Sequence, residues 1–343
     1  MKKFTKLALA SSIAFSANAM AMQALDDTAM SATTGQDGIN IGIGISKVTI
    51  DKVYVHDNDG LATNATYGYT AVNATTNPPT PTGVVNNPIA GGTGIAGALA
   101  IDGITITANY GAVLSTGNLV DLKIDSDAGT GANGAFLNIA AAVSGLNIEI
   151  GEISVAKSNV GAAATSTTSI RRGVVAGSEN AILSGLTLTT GQLAANVQLG
   201  STPQGAMIKL DTTMKGGLTI SDLGILDNSE SVAENRGQVY LGKIQVADAN
   251  SKDLAIKADV SVTKDGLKIL SVKDANFAGT DVYVQGVFLG AQDADLSSWK
   301  DNGVLKARGT GLTGSIGDVE IQGMKTFYGS SYTPGAIITV TGR

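Results

Sequence analysis

Apolar residues recur at every second position in short segments along almost the whole chain, and this period constrains the fold more than any other feature. Ile39, Ile41, Ile43 and Ile45 alternate with Asn and Gly, and similar alternation returns around residues 101–106, 120–124, 186–188 and 254–262. A period of two is that of a β-strand with one apolar face. Gly, Asn-Gly or Asp-Gly separates most segments, which is turn chemistry. We therefore predict an all-β protein with mostly antiparallel strands.

A second sequence pattern, which we call the interrupted cadence, breaks up the alternation. Two apolar residues one apart are followed by a two-residue break and then by two more, in segments that start at 48, 148, 218, 239, 282 and 319. On a regular strand this step of three would place the two pairs on opposite faces. A β-bulge would keep both pairs on one face and bend the strand, whereas a corner would form the coil of a solenoid.

Because the starts are unevenly spaced and a solenoid has a fixed period, we favour bent or bulged antiparallel sheets. These sheets would form a sandwich, an open barrel or an elongated β-structure. An irregular β-solenoid is the alternative fold.

The first residues have the pattern of a secretory signal peptide. Lys2, Lys3 and Lys6 precede an apolar run at 7–15 and small residues at Ala19 and Ala21, which predicts a signal peptide at 1–21. The run is too short to cross a bilayer, which takes roughly 20 residues. We expect an exported protein in the periplasm, at the outer membrane or on the cell surface. Residues 22–38 are predicted as a short helix, at 25–31, and a turn, and residues 39–343 as a β-rich body.

Two polar stretches interrupt the body. Residues 61–98 are rich in Thr and Asn and contain four of the six prolines. Since proline cannot donate to a strand ladder, we predict a long exposed loop there. Residues 156–180, with Arg171 and Arg172 at their centre, are predicted as a second excursion.

Charge and cysteine content exclude several kinds of partner and site. Removal of residues 1–21 takes away three lysines and no acidic residue, which leaves 20 basic against 29 acidic residues. An acidic surface disfavours binding to nucleic acid. The chain has no cysteine and a single histidine, so no Cys/His zinc set can form.

The candidate residues for chemistry are few. His56 would be needed for a Ser-His-Asp triad, but it follows a strand and precedes turn residues, so we interpret it as a solvated turn histidine. Asp57 and Asp59, and likewise Asp125 and Asp127, resemble pieces of calcium loops without the full register of ligands. We interpret both pairs as turns. We therefore predict no catalytic, cofactor-binding or metal site, no cofactor, and a protein that is not an enzyme.

The segment at 22–31 (MQALDDTAMS), followed by the one at 34–39 (TGQDGI), resembles the start of Fil-type putative pilus assembly proteins of Gram-negative bacteria. The resemblance implies an exported, Gly-rich β-protein that takes part in a pilus-like filament or an outer-membrane-associated system. Its partners would be other envelope or filament-assembly proteins, bound through protein–protein contacts. No catalytic residue is implied.

Two functions remain open at this point. Strands with a smooth Ile/Gly face and unpaired edges can accept a strand of another chain, which fits the assembly role. Alternatively, a bent sheet can enclose an apolar groove for a hydrophobic ligand such as lipid.

Overall fold

The computed structural model describes residues 38–73, 80–160, 169–274, 276–291, 300–301, 304–305 and 314–342. The predicted signal peptide at 1–21 and the predicted helix at 25–31 lie outside these residues. No helix within the described ranges is long and apolar enough to cross a membrane.

The described part of the chain is all-β. Its only helices are two single 3-10 turns, Tyr110–Ala112 and Ala233–Asn235. The strands up to residue 157 are β1 (Ile39–Ile43), β2 (Lys47–His56), β3 (Thr66–Asn73), β4 (Thr80–Pro88), β5 (Gly97–Ala108), β6 (Val120–Asp127), β7 (Phe136–Val143), β8 (Leu146–Ile150) and β9 (Ile153–Lys157). The next are β10 (Asn180–Leu183), β11 (Leu186–Thr189), β12 (Leu193–Gly200), β13 (Ile208–Met214), β14 (Leu218–Asp227), β15 (Gly237–Asp248), β16 (Leu254–Thr263) and β17 (Gly266–Val272). The last are β18 (Thr280–Ala291), β19 (Lys300–Asp301), β20 (Val304–Leu305), β21 (Ser315–Met324), β22 (Phe327–Tyr328) and β23 (Thr333–Val340).

These strands form two large antiparallel sheets. The first sheet has the order β1-β6-β7-β12-β13-β16-β17-β23-β22. The second has the order β10-β9-β5-β8-β11-β14-β15-β18-β21, with β2 paired to β5. Every strand pairing among the described residues is antiparallel, as predicted. The solenoid alternative is not confirmed, since the coils of a parallel β-helix would stack their strands in parallel.

Eight long segments each cross from one sheet to the other, and we call them arms 1 to 8. Their strands are β1–β2, β5–β6, β7–β9, β10–β12, β13–β14, β15–β16, β17–β18 and β21–β23. Several of the connections are very short: Ser144 and Gly145 join β7 to β8, and the three residues at 215–217 join β13 to β14. The two sheets are therefore wings of one folded meander that share a line of corners. The result is a sandwich-like, two-sheet architecture.

Buried hydroxyl groups hold the corners in place. Ser144, which is 1% exposed, accepts a hydrogen bond from Leu114 N at 2.9 Å and donates one to Asn118 O at 2.7 Å. Thr190 Oγ1 accepts from Leu146 N at 3.0 Å. These bonds satisfy backbone groups that the corners remove from the strand ladders, which a buried site requires.

Carboxylates connect neighbouring corners on the other half of the line of corners, which we call the spine. Asp253 accepts from Lys215 Nζ at 2.6 Å and from Gly216 N at 3.0 Å. Asp281 accepts from Gly323 N at 2.8 Å and from Asn250 N at 3.0 Å. Lys215 and then Gly216 lower the pKa of Asp253, and the two backbone donors lower the pKa of Asp281. Each carboxylate therefore ties its own arm to a neighbouring one.

Most of the two-residue breaks in the sequence pattern lie on a transverse crease in the second sheet. The crease is a line along which neighbouring strands bend at the same place. The register is the same on both sides of the first four breaks; Ile50, for example, pairs with Ile104 and Lys52 with Asp102, without a shift. The breaks of adjacent arms lie side by side, because Gly151 N donates to Gly103 O and Asp102 N donates to Glu152 O, both at 2.9 Å.

The bulge interpretation is therefore wrong at the first four breaks, since both paired strands bend at the same place. Gly103, Asp222 and Gly286 have φ values of 81°, 61° and 69° at the crease, a backbone region that turns the strand. Register shifts do occur between β18 and β21, one at the fifth predicted break, between Val284 and Val287, and one beside the sixth, at 322–323, so the bulge interpretation is confirmed for this strand pair.

The predicted loop at 61–98 is corrected by the structure, which contains a two-stranded ribbon there. Strands β3 and β4 pair from Thr66 and Pro88 to Asn73 and Thr80. Pro81 and Pro88 are tolerated because a two-stranded ribbon leaves one side of each strand without a ladder. Pro78 and Pro79 lie outside the described residues. The excursion predicted at 156–180 overlaps the end of β9 and the start of β10 and otherwise lies between them, and residues 161–168 are likewise outside the description.

Candidate functional site

The first sheet carries an unbroken row of aliphatic residues that crosses all eight arms. We call it row A, and its members are Ile39, Ile124, Ile139, Val197, Ile208, Val260, Ile269 and Ile338. Each member is the directly opposed partner of the next. Because opposed residues on neighbouring strands share one face, row A is a continuous aliphatic strip along the sheet.

The second sheet has an equivalent strip beside the corners. We call it row B, and its members are Val48, Ile106, Ile148, Leu188, Ile220, Ile244, Val284 and Val319. The molecule therefore presents two parallel aliphatic rows, one on each wing.

The interior members of both rows and Val48 are half-buried, whereas the other three end residues are exposed. Ile39 and Ile338, at the two ends of row A, are 61% and 54% exposed, and Val319 at the end of row B is 44% exposed. Ile41 and Ile321, each two residues from a row end, are also exposed. Each fully buried aliphatic side chain stabilises a fold by about 1.5–3 kcal/mol. Burial of these end residues by a partner would therefore add stabilisation that the single chain lacks.

The edge strands expose backbone as well as side chains. Among the described residues, β1 pairs only with β6 and β2 only with β5. At the opposite end, β21 pairs only with β18 within the same ranges. There β22 pairs with Thr333 and Pro334 of β23, and Gly335 N donates to Thr326 O, which leaves the outer side of Ala336–Val340 without a described partner. Unpaired edges of this length are templates for another strand.

None of the Ile, Leu and Val side chains in the described part of the chain is fully buried. The large, fully buried apolar residues there are Met214, Tyr240 and Phe288. Ile, Val and Leu are among the residue types that globular proteins most often bury fully. The aliphatic faces of the two wings are therefore accessible along the molecule.

The crease concentrates the polar contacts of the second sheet. The Tyr240 hydroxyl donates to Asp222 Oδ1 at 2.5 Å, and Lys52 Nζ lies 2.6 Å from Asp102 Oδ1. Burial and then the Asp222 carboxylate raise the pKa of Tyr240 above its usual value of 10.0. Nearby, Asp318 accepts from both the Tyr283 hydroxyl and Gly286 N. The bond from Gly286 N satisfies a backbone group at the bend, and the others link side chains of neighbouring strands, so the geometry is that of a structural element.

His56 is the last residue of β2 and half-buried, so its interpretation as a solvated turn residue is wrong. Its Nδ1 lies 2.6 Å from Oγ of Ser158, a buried residue of the second excursion. Burial and then the Arg172 guanidinium lower the pKa of His56. Ser158 lies 102 positions away, a separation that no local motif reveals. Within the described contacts no carboxylate bonds to this imidazole, so the pair lacks the orienting acid of a triad.

A cleft of about 700 Å³ lies beside His56. Its lining includes Lys52, Tyr54, Arg171 and Arg172. Arg172 is already held by protein groups, since it donates to Asn159 O at 2.7 Å and to Asn58 Oδ1 at 2.6 Å. This guanidinium therefore anchors the second excursion to the turn that follows β2.

The structure does not bring the two calcium candidates together. Asp127 Oδ1 accepts from Gly129 N at 2.6 Å, which is the local bond of a turn. Asp125 lies in β6, and Asp57 and Asp59 follow β2 at the far end of the second sheet. No group of three or more His, Cys, Asp or Glu residues within the described ranges could hold a metal ion.

Sequence reasoning missed the two rows and the buried Tyr240–Asp222 pair. The alternation in each strand indicated an aliphatic face, but only the register of eight neighbours shows that the residues align. The sequence pattern did single out the position of Asp222, because this residue lies in one of the two-residue breaks.

Comparisons with known proteins give one match. A family model described as a family of unknown function (DUF6160) matches residues 1–189, more than half of the chain. No curated protein and no solved structure matches the chain.

Proposed function

The chain belongs to the DUF6160 family, whose function is unknown, and we propose from its surface that it is an exported assembly component. It acts in a pilus-like filament or an outer-membrane-associated system, through contacts between strand edges. One observation carries this proposal: both wings end in strands whose outer edge is at least partly without a partner among the described residues, and three of the four terminal residues of rows A and B are exposed. The signal-peptide pattern and the Fil-type segment at 22–39 support the same role. It requires partner chains and no catalytic residue.

Site-specific photo-crosslinking in the producing cells tests the role. A photoreactive residue at Ile41, on the exposed edge, should give adducts with another exported chain. The same residue at Val262, which is 66% exposed but lies on the interior strand β16, is the control. Adducts at both positions, or at neither, would remove the support for an edge-directed role.

A substitution separates an interface from a core at the same edge. Ile41→Lys should leave thermal stability nearly unchanged, because the side chain is exposed, and should abolish the adducts. Leu122→Lys, at the half-buried neighbour opposite Ile41, should lower thermal stability instead. If Ile41→Lys unfolds the protein, that face belongs to the core and the edge is not free.

A second candidate function is binding of a hydrophobic ligand, such as the acyl chain of a lipid, along the aliphatic faces. The observation that favours it is that no described Ile, Leu or Val is fully buried. A fluorescent fatty acid should bind the purified protein, and Ile139→Asn, in the middle of row A, should weaken binding. Ala140→Asn, on the opposite face of the same strand, should not. Equal binding by both variants would contradict a site on row A.

A further inference from the structure

We propose that copies of this chain associate head to tail, with arm 1 of one copy paired to arm 8 of the next. Each wing and each aliphatic row then continues from copy to copy. The inference rests on the assembly role proposed above and assigns it a partner, a second copy of this chain.

The direction of the arms permits this pairing. Successive arms run in opposite directions, so with eight arms the first and the last are antiparallel. Arm 1 runs from the first sheet to the second, and arm 8 runs from the second to the first. Arm 1 of a second copy, placed beside arm 8, is therefore antiparallel to it and has each of its strands next to the same wing. The new junction repeats the geometry of the junctions inside the chain along Ala336–Val340, whereas β22 and Thr326 already cover the outer side of Thr333–Gly335.

The register of the junction follows from the two rows. Continuation of row A places Ile39 opposite Ile338, and continuation of row B places Val48 opposite Val319. Both pairs join aliphatic residues, and three of the four are exposed in the single chain. Pairing would remove these side chains from water, which is the main favourable term in association.

The charges at this junction are complementary. One residue beyond the Val48–Val319 pair, on the opposite face of the sheet, Lys47 of one copy lies opposite Glu320 of the next. Within the chain both face neutral neighbours, Thr107 and Tyr283. Neither forms an ion pair among the described residues. Opposite charges at directly opposed positions stabilise strand pairing, and like charges there destabilise it.

A symmetric dimer fits these edges less well. If arm 1 paired with arm 1 in the antiparallel direction, β1 of one copy would lie against β2 of the other, and the wings would not continue. Only contact between two different edges satisfies both rows, and such a contact is heterologous and open-ended. The expected product is a linear filament.

Charge reversal tests the register. Sedimentation velocity of the purified protein, at concentrations from about 1 to 500 µM, should show species that grow with concentration. Lys47→Glu and Glu320→Lys should each weaken association about tenfold or more, and the double variant should restore it. Unrestored association in the double variant overturns the register.

Capped copies test the polarity. Ile41→Lys blocks the edge of arm 1, and Ile321→Lys blocks the edge of arm 8. Each variant alone should remain monomeric, and an equimolar mixture should stop at dimers through its two intact edges. A capped variant that dimerises alone overturns head-to-tail contact, as does a wild-type protein that is monomeric throughout.

The two proposals fail in different ways. A monomeric protein that still gives adducts with a different exported chain from Ile41 keeps the assembly role and loses self-association. A monomeric protein without adducts loses both.

Discussion

At the scale of single residues, the Tyr240–Asp222 pair shows how the fold tolerates a bent sheet. Asp222 takes a positive φ at the crease, and its carboxylate accepts the hydroxyl of a tyrosine that is 1% exposed. A buried hydroxyl without a partner would be costly. The pair therefore links a backbone bend to the small closed core formed by Tyr240 and Phe288, whose ring centroids lie 6.4 Å apart.

We predict that Tyr240→Phe lowers the free energy of unfolding by about 1.5–3 kcal/mol, the range for a hydrogen bond to a charged group. Tyr283→Phe is the matched control, because its hydroxyl donates to Asp318 at a solvent-exposed site. Its loss should stay below about 1 kcal/mol. Urea denaturation measures both, and equal losses would show that burial of the Tyr240 pair does not matter.

His56 offers a second residue-scale prediction, since it is the only histidine. In an NMR titration its midpoint should lie below 6.5, and Arg172→Gln should raise it part of the way back because burial remains. Arg171→Gln should leave it unchanged. The unfolded chain binds this proton more readily than the folded one, so stability should fall as the pH drops through 6.5 and below. A midpoint above 6.5 would contradict the environment described.

At the scale of elements, the corners decide how the arms divide between two sheets. Glycine permits close approach there: a Cβ on Gly191 would lie 2.3 Å from Lys215 O of the neighbouring corner. The hydroxyls of Ser144 and Thr190 and the carboxylates of Asp253 and Asp281 bind the backbone groups that the corners release. The spine is thus held by polar contacts between arms.

We expect Ser144→Ala to lower the free energy of unfolding by about 1–3 kcal/mol, because it leaves Leu114 N and Asn118 O, in a partly buried corner, without their partner. Ser178→Ala is the control. Ser178 also accepts from an N–H group, of Lys157, and donates to a carbonyl, of Val175, but at an exposed site. Water can replace its bonds, so chemical denaturation should show a much smaller loss. Similar losses would contradict a structural role of the buried corner.

At the scale of the whole molecule, the two sheets are not independent units. Each arm contributes to both wings and contacts mainly the arms beside it, which makes the chain quasi-one-dimensional along the order of the arms. Stability then depends on contacts between nearest neighbours, and the ends have only one neighbour each. The same property makes the ends suited to join another copy.

Hydrogen exchange measured by mass spectrometry tests this view. Protection should be highest in the central arms, at 180–227, and lowest in β1 and β23 at the ends, because end strands have partners on one side only. Within one arm, the peptides from its two sheets should exchange at similar rates. Fast exchange of one whole sheet with slow exchange of the other would show two separate units.

The sequence by itself determined the strand class and much of the strand placement, because a period of two depends on neighbours in the chain. The alternation from Ile39 to Ile43 became β1, and the cadence at Asp51-Lys52 marked a real bend. The sequence could not distinguish a bulge from a crease, since the difference depends on whether the paired strand bends at the same position. The prolines at 81 and 88 correctly indicated that this segment is not a central strand of a sheet. They are compatible, however, with a two-stranded ribbon, in which each strand has one side without a ladder.

Only the tertiary structure decided which residues align. Ile39 and Ile338 are 299 positions apart, and they become the two ends of one row through seven successive registers. The His56–Ser158 contact and the pairing of corners by Asp253 and Asp281 depend in the same way on long-range pairing. A strand pattern specifies which face is apolar, whereas the register between arms specifies which apolar residues meet and which remain exposed at the edges.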